Sequence, residues 1–302
     1  MIKTKIDEIS YSYEYPTYSI GFMCSVYGKF DIEKYLDRLV RSLTNSIDYT
    51  PSHNKLYIAT DTVKNMERVN KVMLNTEANQ YLSYEVIVVK PSEMMSIGYM
   101  RSSLIKYILG RSETCTLYYF MDADDYVTPM FVGKILDQCL NLAKYNSKEF
   151  FPILGLNVIP SEETDLNNYT SILFGRSPVH GSIECAKDLL FQEQLTFALW
   201  GYVFTKACFK HFIDLSGSYE DGVFIERCMN DSMLDYEIIY NVGYIHVNDT
   251  PTSLMNVKKM SEMDKRSFRA FLAGIVDYYS SNPYGNTLSL LWSQIEYYVK
   301  RL

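Results

Sequence analysis

Excess positive charge is missing from this sequence: 36 acidic residues outnumber 29 basic ones, for a net charge of −7. Proteins that draw their affinity from a nucleic-acid backbone carry the opposite balance, so that class is disfavoured, although a local basic groove would survive the average. A C-x-x-C pair is also missing from the six cysteines, Cys24, Cys115, Cys139, Cys185, Cys208 and Cys228. Most of them lie in apolar segments, which reads as reduced core thiols of a cytoplasmic protein and argues against a disulfide framework or a zinc cluster. The opening residues, Met1-Ile-Lys-Thr-Lys-Ile-Asp-Glu8, lack the apolar stretch of a signal peptide, and no unbroken apolar run approaches a membrane span. Repeats and low-complexity tracts are absent too. Glycine and proline are few (14 and 9) beside 27 tyrosines, and 47% of the chain is hydrophobic, enough to bury a large core as one enlarged domain or a domain with an appendage. The expectation is a soluble, cytoplasmic protein with no transmembrane segment.

Apolar runs and helical stripes alternate through the first half. Residues 19–26 read as a buried strand ending at Tyr27-Gly28. Asp31 then caps a helix whose apolar positions, Ile32, Tyr35, Leu36, Leu39, Val40 and Leu43, share one face. Strands are expected over 55–60, ending at Asp61, and over 84–89. Gly98 opens a helix that runs to Leu109 and stops at Gly110. A fourth strand ends at Asp122, and a helix follows with Phe131, Val132, Ile135, Leu136, Cys139 and Leu140 on one face. Such alternation predicts an α/β fold with a mainly parallel sheet flanked by helices.

The second half is less regular. Residues 152–158 read as a further strand, 161–170 as a loop and 184–197 as a helix, before a Trp200-Gly201 segment and a helix after Glu220-Asp221. Past Met255, the stripes Phe268, Phe271, Leu272, Ile275, Tyr279 and Leu288, Leu291, Trp292, Ile295, Val299 mark two amphipathic helices joined at Asn282-Pro-Tyr-Gly285. The division is an α/β domain over 1–255 and a helical hairpin over 256–302, docked on the domain's own core or used as an oligomer or membrane-surface face.

The most chemical stretch is Thr116-Leu-Tyr-Tyr-Phe-Met-Asp-Ala-Asp-Asp-Tyr126, in which an apolar run ends in Asp122, Asp124 and Asp125. Ligands of open α/β sheets bind at the carboxyl ends of such strands. Three like charges so close are tolerable in water, as a hydrated turn, or around a divalent cation with oxygen ligands.

Read in order, the punctuation of the chain over roughly residues 17 to 256 resembles the inverting family 2 glycosyltransferases of the GT-A fold. Met23-Cys-Ser-Val-Tyr-Gly28 is similar to that family's first strand and tyrosine turn, and Ile58-Ala-Thr-Asp61 to the strand whose aspartate reads a uracil-type base. Gly98-Tyr-Met-Arg101 resembles the Gly-x-x-Arg ahead of the metal strand. Phe120-Met-Asp-Ala-Asp-Asp-Tyr-Val-Thr-Pro129 is similar to the signature of that strand, Leu199-Trp-Gly-Tyr-Val-Phe204 to an acceptor-side segment, and Tyr219-Glu-Asp221 to a Glu-Asp pair before a helix. The chain departs from the pattern at Gly28, where a small polar residue is usual, and at Thr62-Val63, in place of an Asp-Gly-Ser-like turn.

The resemblance implies a hexosyltransferase-type enzyme that takes a sugar from a nucleoside diphosphate sugar, UDP-linked by preference, to a hydroxyl on a glycan or lipid-linked acceptor, a modified nucleic-acid base being the less favoured alternative. It implies that Ser25 and Tyr27 meet the base, Asp61 accepts its imide N–H, and Arg101 reaches the diphosphate. Asp122 would contact the ribose or stand behind the metal, with Asp124 and Asp125 nearest an Mn²⁺ or Mg²⁺ ion and His246 near the metal or phosphate. Trp200 would form the floor under the acceptor sugar. Asp221 would be the general base, oriented with the acceptor by Glu220. Each residue has a plainer alternative: a core tyrosine or tryptophan, an N-cap, an exposed helix charge, a structural histidine, or acids that favour a helix N-terminus. Two other functions fit parts of the pattern. Haloacid-dehalogenase-type phosphohydrolases also use Asp-x-Asp after an apolar strand, but they need threonine or valine where Tyr126 stands. A non-catalytic nucleotide- or sugar-binding module would not need the Glu-Asp pair.

Overall fold

Every residue of the first strand, β1 (Ile20–Val26), is buried except Ser25, which is partly so. That is what an unbroken apolar run requires of a strand covered on both faces. The computed structural model describes residues 19–28, 30–47, 53–76, 82–90, 96–112, 115–141, 148–159, 172–174, 198–212 and 220–247. The loop expected at 161–170, the helix at 184–197 and the C-terminal hairpin at 256–302 lie outside the described residues.

Helix α1 (Ile32–Ile47) starts where Asp31 accepts the Lys34 N–H at 3.2 Å. Its stripe of Ile32, Leu36, Leu39, Val40 and Leu43 shares one core with Ile20, Phe22, Cys24 and Val26 of β1. Burial of each such side chain stabilises the fold by about 1.5–3 kcal/mol. β2 (Lys55–Thr60) follows, then α2 (Val63–Asn75), β3 (Ser83–Val88), α3 (Ile97–Leu109) and β4 (Leu117–Asp122). Met23 of β1 and Tyr57 and Ala59 of β2 face the other way, into a second core with Met100, Leu104, Ile105 and Ile108 of α3. The period-2 alternation of the strands thus divides two cores between the two faces of the sheet. α2 is a helix that the hydrophobic pattern did not announce. Its buried apolar residues are only Val69, Val72 and Met73, and its start is set by Thr62, whose hydroxyl accepts the Asn65 N–H at 3.1 Å.

Past Asp122 come β5 (Tyr126–Val127) and α4 (Phe131–Ile135), which widens into a π-helical turn over Leu136–Leu140. The single strand expected over 152–158 is two strands, β6 (Phe150–Leu154) and β7 (Leu156–Ile159). Gly155 separates them with φ +79°, a left-handed conformation that sends the two strands into different sheets. β8 (Ile172–Phe174), β9 (Tyr202–Phe204), α5 (Glu220–Asn230), β10 (Ile239–Tyr240) and β11 (Tyr244–Val247) complete the described strands and α-helices, and short 3-10 turns cover Leu199–Gly201 and Lys206–His211. The main sheet has the order β10-β6-β9-β4-β1-β2-β3. The run from β4 to β3 is parallel, and β9 is antiparallel to both its neighbours. The expected mainly parallel sheet flanked by helices is therefore present. A smaller sheet, β5-β11-β7-β8, lies beside it and was not anticipated. Among the described residues no helix is long and apolar enough to cross a membrane.

Gly243, at φ +92°, delivers the chain into β11, and a Cβ there would overlap Thr128 Oγ1. Gly243→Ala is expected to destabilise the fold by about 2 kcal/mol through backbone strain and this overlap. Gly110→Ala, at an ordinary φ of −77° with only van der Waals neighbours, is expected to lie within about 1 kcal/mol of wild type. Urea denaturation of the two variants side by side checks the contrast.

Candidate active site

Register places the site. Ser25 of β1 pairs with Asp122 of β4, and Val26 pairs with Thr60 of β2. The carboxyl ends of three parallel strands therefore meet at one edge, and Tyr27-Gly28, Asp61 and the Asp122–Asp125 turn gather there. Asp61 Oδ2 accepts the Gly28 N–H at 2.7 Å, and Oδ1 accepts Asn65 Nδ2 at 2.7 Å. Beside them opens a cleft of about 500 Å³, lined in part by Gly28, Phe30, Asp61, Asn65 and Arg68, within the size range of small-molecule sites. Tyr27 is half-buried against the second core, and the Ser25 hydroxyl is buried without a partner.

Among the described residues, Asp122, Asp125 and His246 form one group whose candidate ligand atoms all lie within 4.8 Å of one another. Asp125 is fully buried, as a carboxylate can be only when its oxygens are filled. Its Oδ1 accepts the Val247 N–H at 2.9 Å, its Oδ2 accepts the Tyr244 hydroxyl, and His246 Nδ1 stands 3.0 Å away. The same Tyr244 oxygen accepts the Asp122 N–H at 3.1 Å, tying the two aspartates together. The sequence signal for Tyr244 is that it shares a strand face with His246 two residues on. The resemblance paired Asp124 with Asp125 nearest the metal. In the structure the Asp124 carboxylate stays outside the converging group, and its backbone carbonyl accepts from Arg38.

Burial alone would lower the pKa of His246, but the Asp125 carboxylate overrides it and raises the imidazole to about 9. Burial pushes Asp125 up, opposed by the same histidine. Held protonated by Asp125, the ring has an Nε2–H to donate to a phosphate, and a metal would take Nε2 only by displacing that proton. Trp200 is only 6% exposed, and its ring lies 4.5 Å from that of His246 and 5.8 Å from that of Tyr244, centroid to centroid. The plainer alternative, a core tryptophan, describes it better than a floor for a sugar.

Arg101 joins this group to the acid pair. It stands in the second turn of α3, its Nη2 is 2.9 Å from Asp122 Oδ1, and its Nη1 is 2.7 Å from Glu220 Oε1. The resemblance implies a diphosphate contact for Arg101; the structure commits its guanidinium to these two carboxylates. Glu220 and Asp221 open α5. Glu220 is 1% exposed and its Oε2 is buried without a partner. Asp221 Oδ1 accepts the Gly222 N–H at 2.9 Å, so it also serves the helix start. Burial raises both carboxyls above the ordinary range, and Arg101 opposes that rise in each.

No family model matches the chain, and no curated protein matches it. Among solved structures, it is similar to residues 1–349 of TarS from S. aureus, at 12% identity and a TM-score of 0.47, covering 87% of this chain and 73% of that one. It is similar to a second TarS structure at 13% identity and a TM-score of 0.48, covering 88% of this chain and 44% of that one. Glucosyl-3-phosphoglycerate synthase from Mycobacterium tuberculosis, in complex with Mn²⁺, UDP and phosphoglyceric acid, gives 12% identity and a TM-score of 0.45 over 85% of this chain and 78% of that one. What the site can do follows from this chain's own residues.

Removing Arg101 takes away the one partner that offsets the burial of Glu220. The pair is 11% and 0% exposed at its side chains, so Arg101→Met is expected to destabilise the protein by about 3–5 kcal/mol. Arg41→Met breaks the exposed pair with Asp37, 57% and 29% exposed, and is expected to cost under about 1 kcal/mol. Guanidinium denaturation of both variants measures the difference.

Proposed function

We propose that the protein is a metal-dependent inverting glycosyltransferase, moving a sugar from a UDP-linked donor to a hydroxyl acceptor. The observation that supports this reading most is the convergence of two sets of groups at one sheet edge: Asp122, Asp125 and His246 on one side of Arg101, Glu220 and Asp221 on the other. Departure of a nucleoside diphosphate needs its growing negative charge stabilised, and attack by a hydroxyl of very high pKa needs a base. The carboxylates of Asp122 and Asp125 are oxygen donors that suit Mn²⁺ or Mg²⁺, with His246 within reach and Asp124 beside them in the same turn, so the residues fit such an ion. When bound, the ion supplies Lewis-acid stabilisation of the leaving diphosphate.

The chain's own groups do the rest. Asp61 accepts the imide N–H of the base. Asp221 takes the proton of the acceptor hydroxyl as its oxygen attacks the anomeric carbon on the face opposite the diphosphate, which inverts that carbon. Glu220, fixed by Arg101, orients the acceptor with its free Oε2. The acidic net charge favours a glycan or a lipid-linked sugar as acceptor over a nucleic acid.

Calorimetric titration of UDP is expected to show tight binding with Mn²⁺ and a loss of at least about tenfold with EDTA; equal affinities remove the metal from the account. Asp221→Asn is expected to lower turnover by about 10²–10⁴-fold while UDP binding stays near wild type. Near-normal turnover at saturating substrates shows that the base lies elsewhere. The acid limb of kcat/KM reports the same group. Asp221 must be ionised, and its pKa is raised to about 6, so activity is full above that value and falls about tenfold per pH unit below it. A profile flat down to about pH 4, the ordinary carboxylate value, contradicts the assignment.

A further inference from the structure

Asn65 lies inside α2, 6% exposed, with each end of its amide facing a complementary charge. Nδ2 donates to Asp61 Oδ1 at 2.7 Å and reaches Gly28 O at 3.4 Å. Oδ1 accepts from Arg68 Nη1 at 3.3 Å. Arg68 is anchored in turn by Glu33, whose Oε1 is 2.9 Å from its Nε, and by the Phe30 carbonyl at 3.4 Å from Nη1. Turning the amide over would set its carbonyl against a carboxylate and its NH₂ against a guanidinium. The chain Glu33, Arg68, Asn65, Asp61 therefore runs in one direction only, from α1 across α2 to the ends of β1 and β2, along the wall of the cleft.

This chain fixes how Asp61 presents itself. Each of its oxygens already takes one N–H, from Gly28 and from Asn65, and a carboxylate has about four acceptor positions. What remains open is an acceptor edge of set direction. A neutral amide aligns that edge without cancelling its charge, whereas Arg68 placed directly on Asp61 would do both. We infer that Asn65 is a positioning residue that makes the cleft selective for a base with an N–H donor on its pairing edge, the uracil imide, over cytosine, which carries a lone pair there. This rests on the reading of Asp61 as the carboxylate that meets the base.

The test titrates UDP and CDP into the full-length protein with Mn²⁺ saturating in both, so that any contribution of the diphosphate is common. Wild type is expected to prefer UDP. Asn65→Ala is expected to weaken UDP about tenfold and to leave CDP within about twofold, the loss of one hydrogen bond to a charged group. Asn65→Asp keeps the shape but sets two like charges together, and is expected to cost UDP more than the alanine does. Retained CDP binding shows in the same experiment that the cleft is folded. Arg68→Gln, which leaves Asn65 in place but unanchored, is a milder second variant, expected to lower the UDP-to-CDP preference by about threefold. Equal losses for both nucleotides, or an unchanged preference in the Asn65 variants, overturn the inference. Asp61→Asn separates the two levels. If it abolishes the preference while the Asn65 variants keep it, only the role of Asn65 fails; if it leaves UDP binding unchanged, the reading of Asp61 fails and this inference with it.

Discussion

Arg101 sets one guanidinium between two carboxyl groups, Asp122 and Glu220, from positions 21 and 119 residues away along the chain. Arg101 and Glu220 are the deeply buried members, and each offsets the burial of the other. A buried carboxylate without a partner costs several kcal/mol, and a buried guanidinium costs as much. Together the three side chains hold the end of β4, the second turn of α3 and the start of α5 at fixed separations. The buried carboxylate of Asp125 does the same work on the other side, binding β11 to the aspartate turn through Tyr244, His246 and the Val247 N–H. The acid groups are thus the fasteners of this edge of the sheet.

The geometry of the sheet explains why the chemistry collects here. Parallel strands aim their carboxyl ends the same way, so β1, β2 and β4 deliver their terminal polar residues to one edge. Antiparallel β9 then brings in the chain just after the Leu199–Gly201 turn, where the Trp200 carbonyl accepts the Tyr119 hydroxyl and the indole covers His246. Trp200 is thus a buried, stacked neighbour of His246. At the far side of the edge, the amide of Asn65 and the backbone of Gly28 hold Asp61 in a way that hydrophobic packing could not, because both supply direction as well as contact.

The parts of this arrangement that were legible in the sequence were those with a strong period. The runs at β1, β2 and β4 and the stripe of α1 fall where they were expected. α2 did not show itself because its apolar positions are few and its start depends on a single hydroxyl, that of Thr62. The break at Gly155 was hidden because one apolar stretch serves two sheets, and only the backbone torsion of the glycine tells them apart. The resemblance assigned Asp124, Asp125 and His246 to the metal, Asp122 to the ribose or behind the metal, and Glu220 and Asp221 to the acceptor; in the structure Asp122, Asp125 and His246 converge with Asp124 outside them, and Arg101 bridges Asp122 and Glu220. Their division of labour was less legible. The roles of Tyr244 and Asn65, and the commitment of Arg101 to two carboxylates, arise from contacts between segments far apart in sequence, which spacing cannot show.

A crystal structure of the protein with UDP and Mn²⁺, with anomalous data collected for manganese, tests the account most directly. One strong manganese peak is expected among Asp122, Asp125 and His246, with a diphosphate against it and the uracil imide within hydrogen-bonding distance of Asp61. Ordered UDP bound elsewhere, or bound at this edge with its base away from Asp61 and no manganese beside His246, would contradict it.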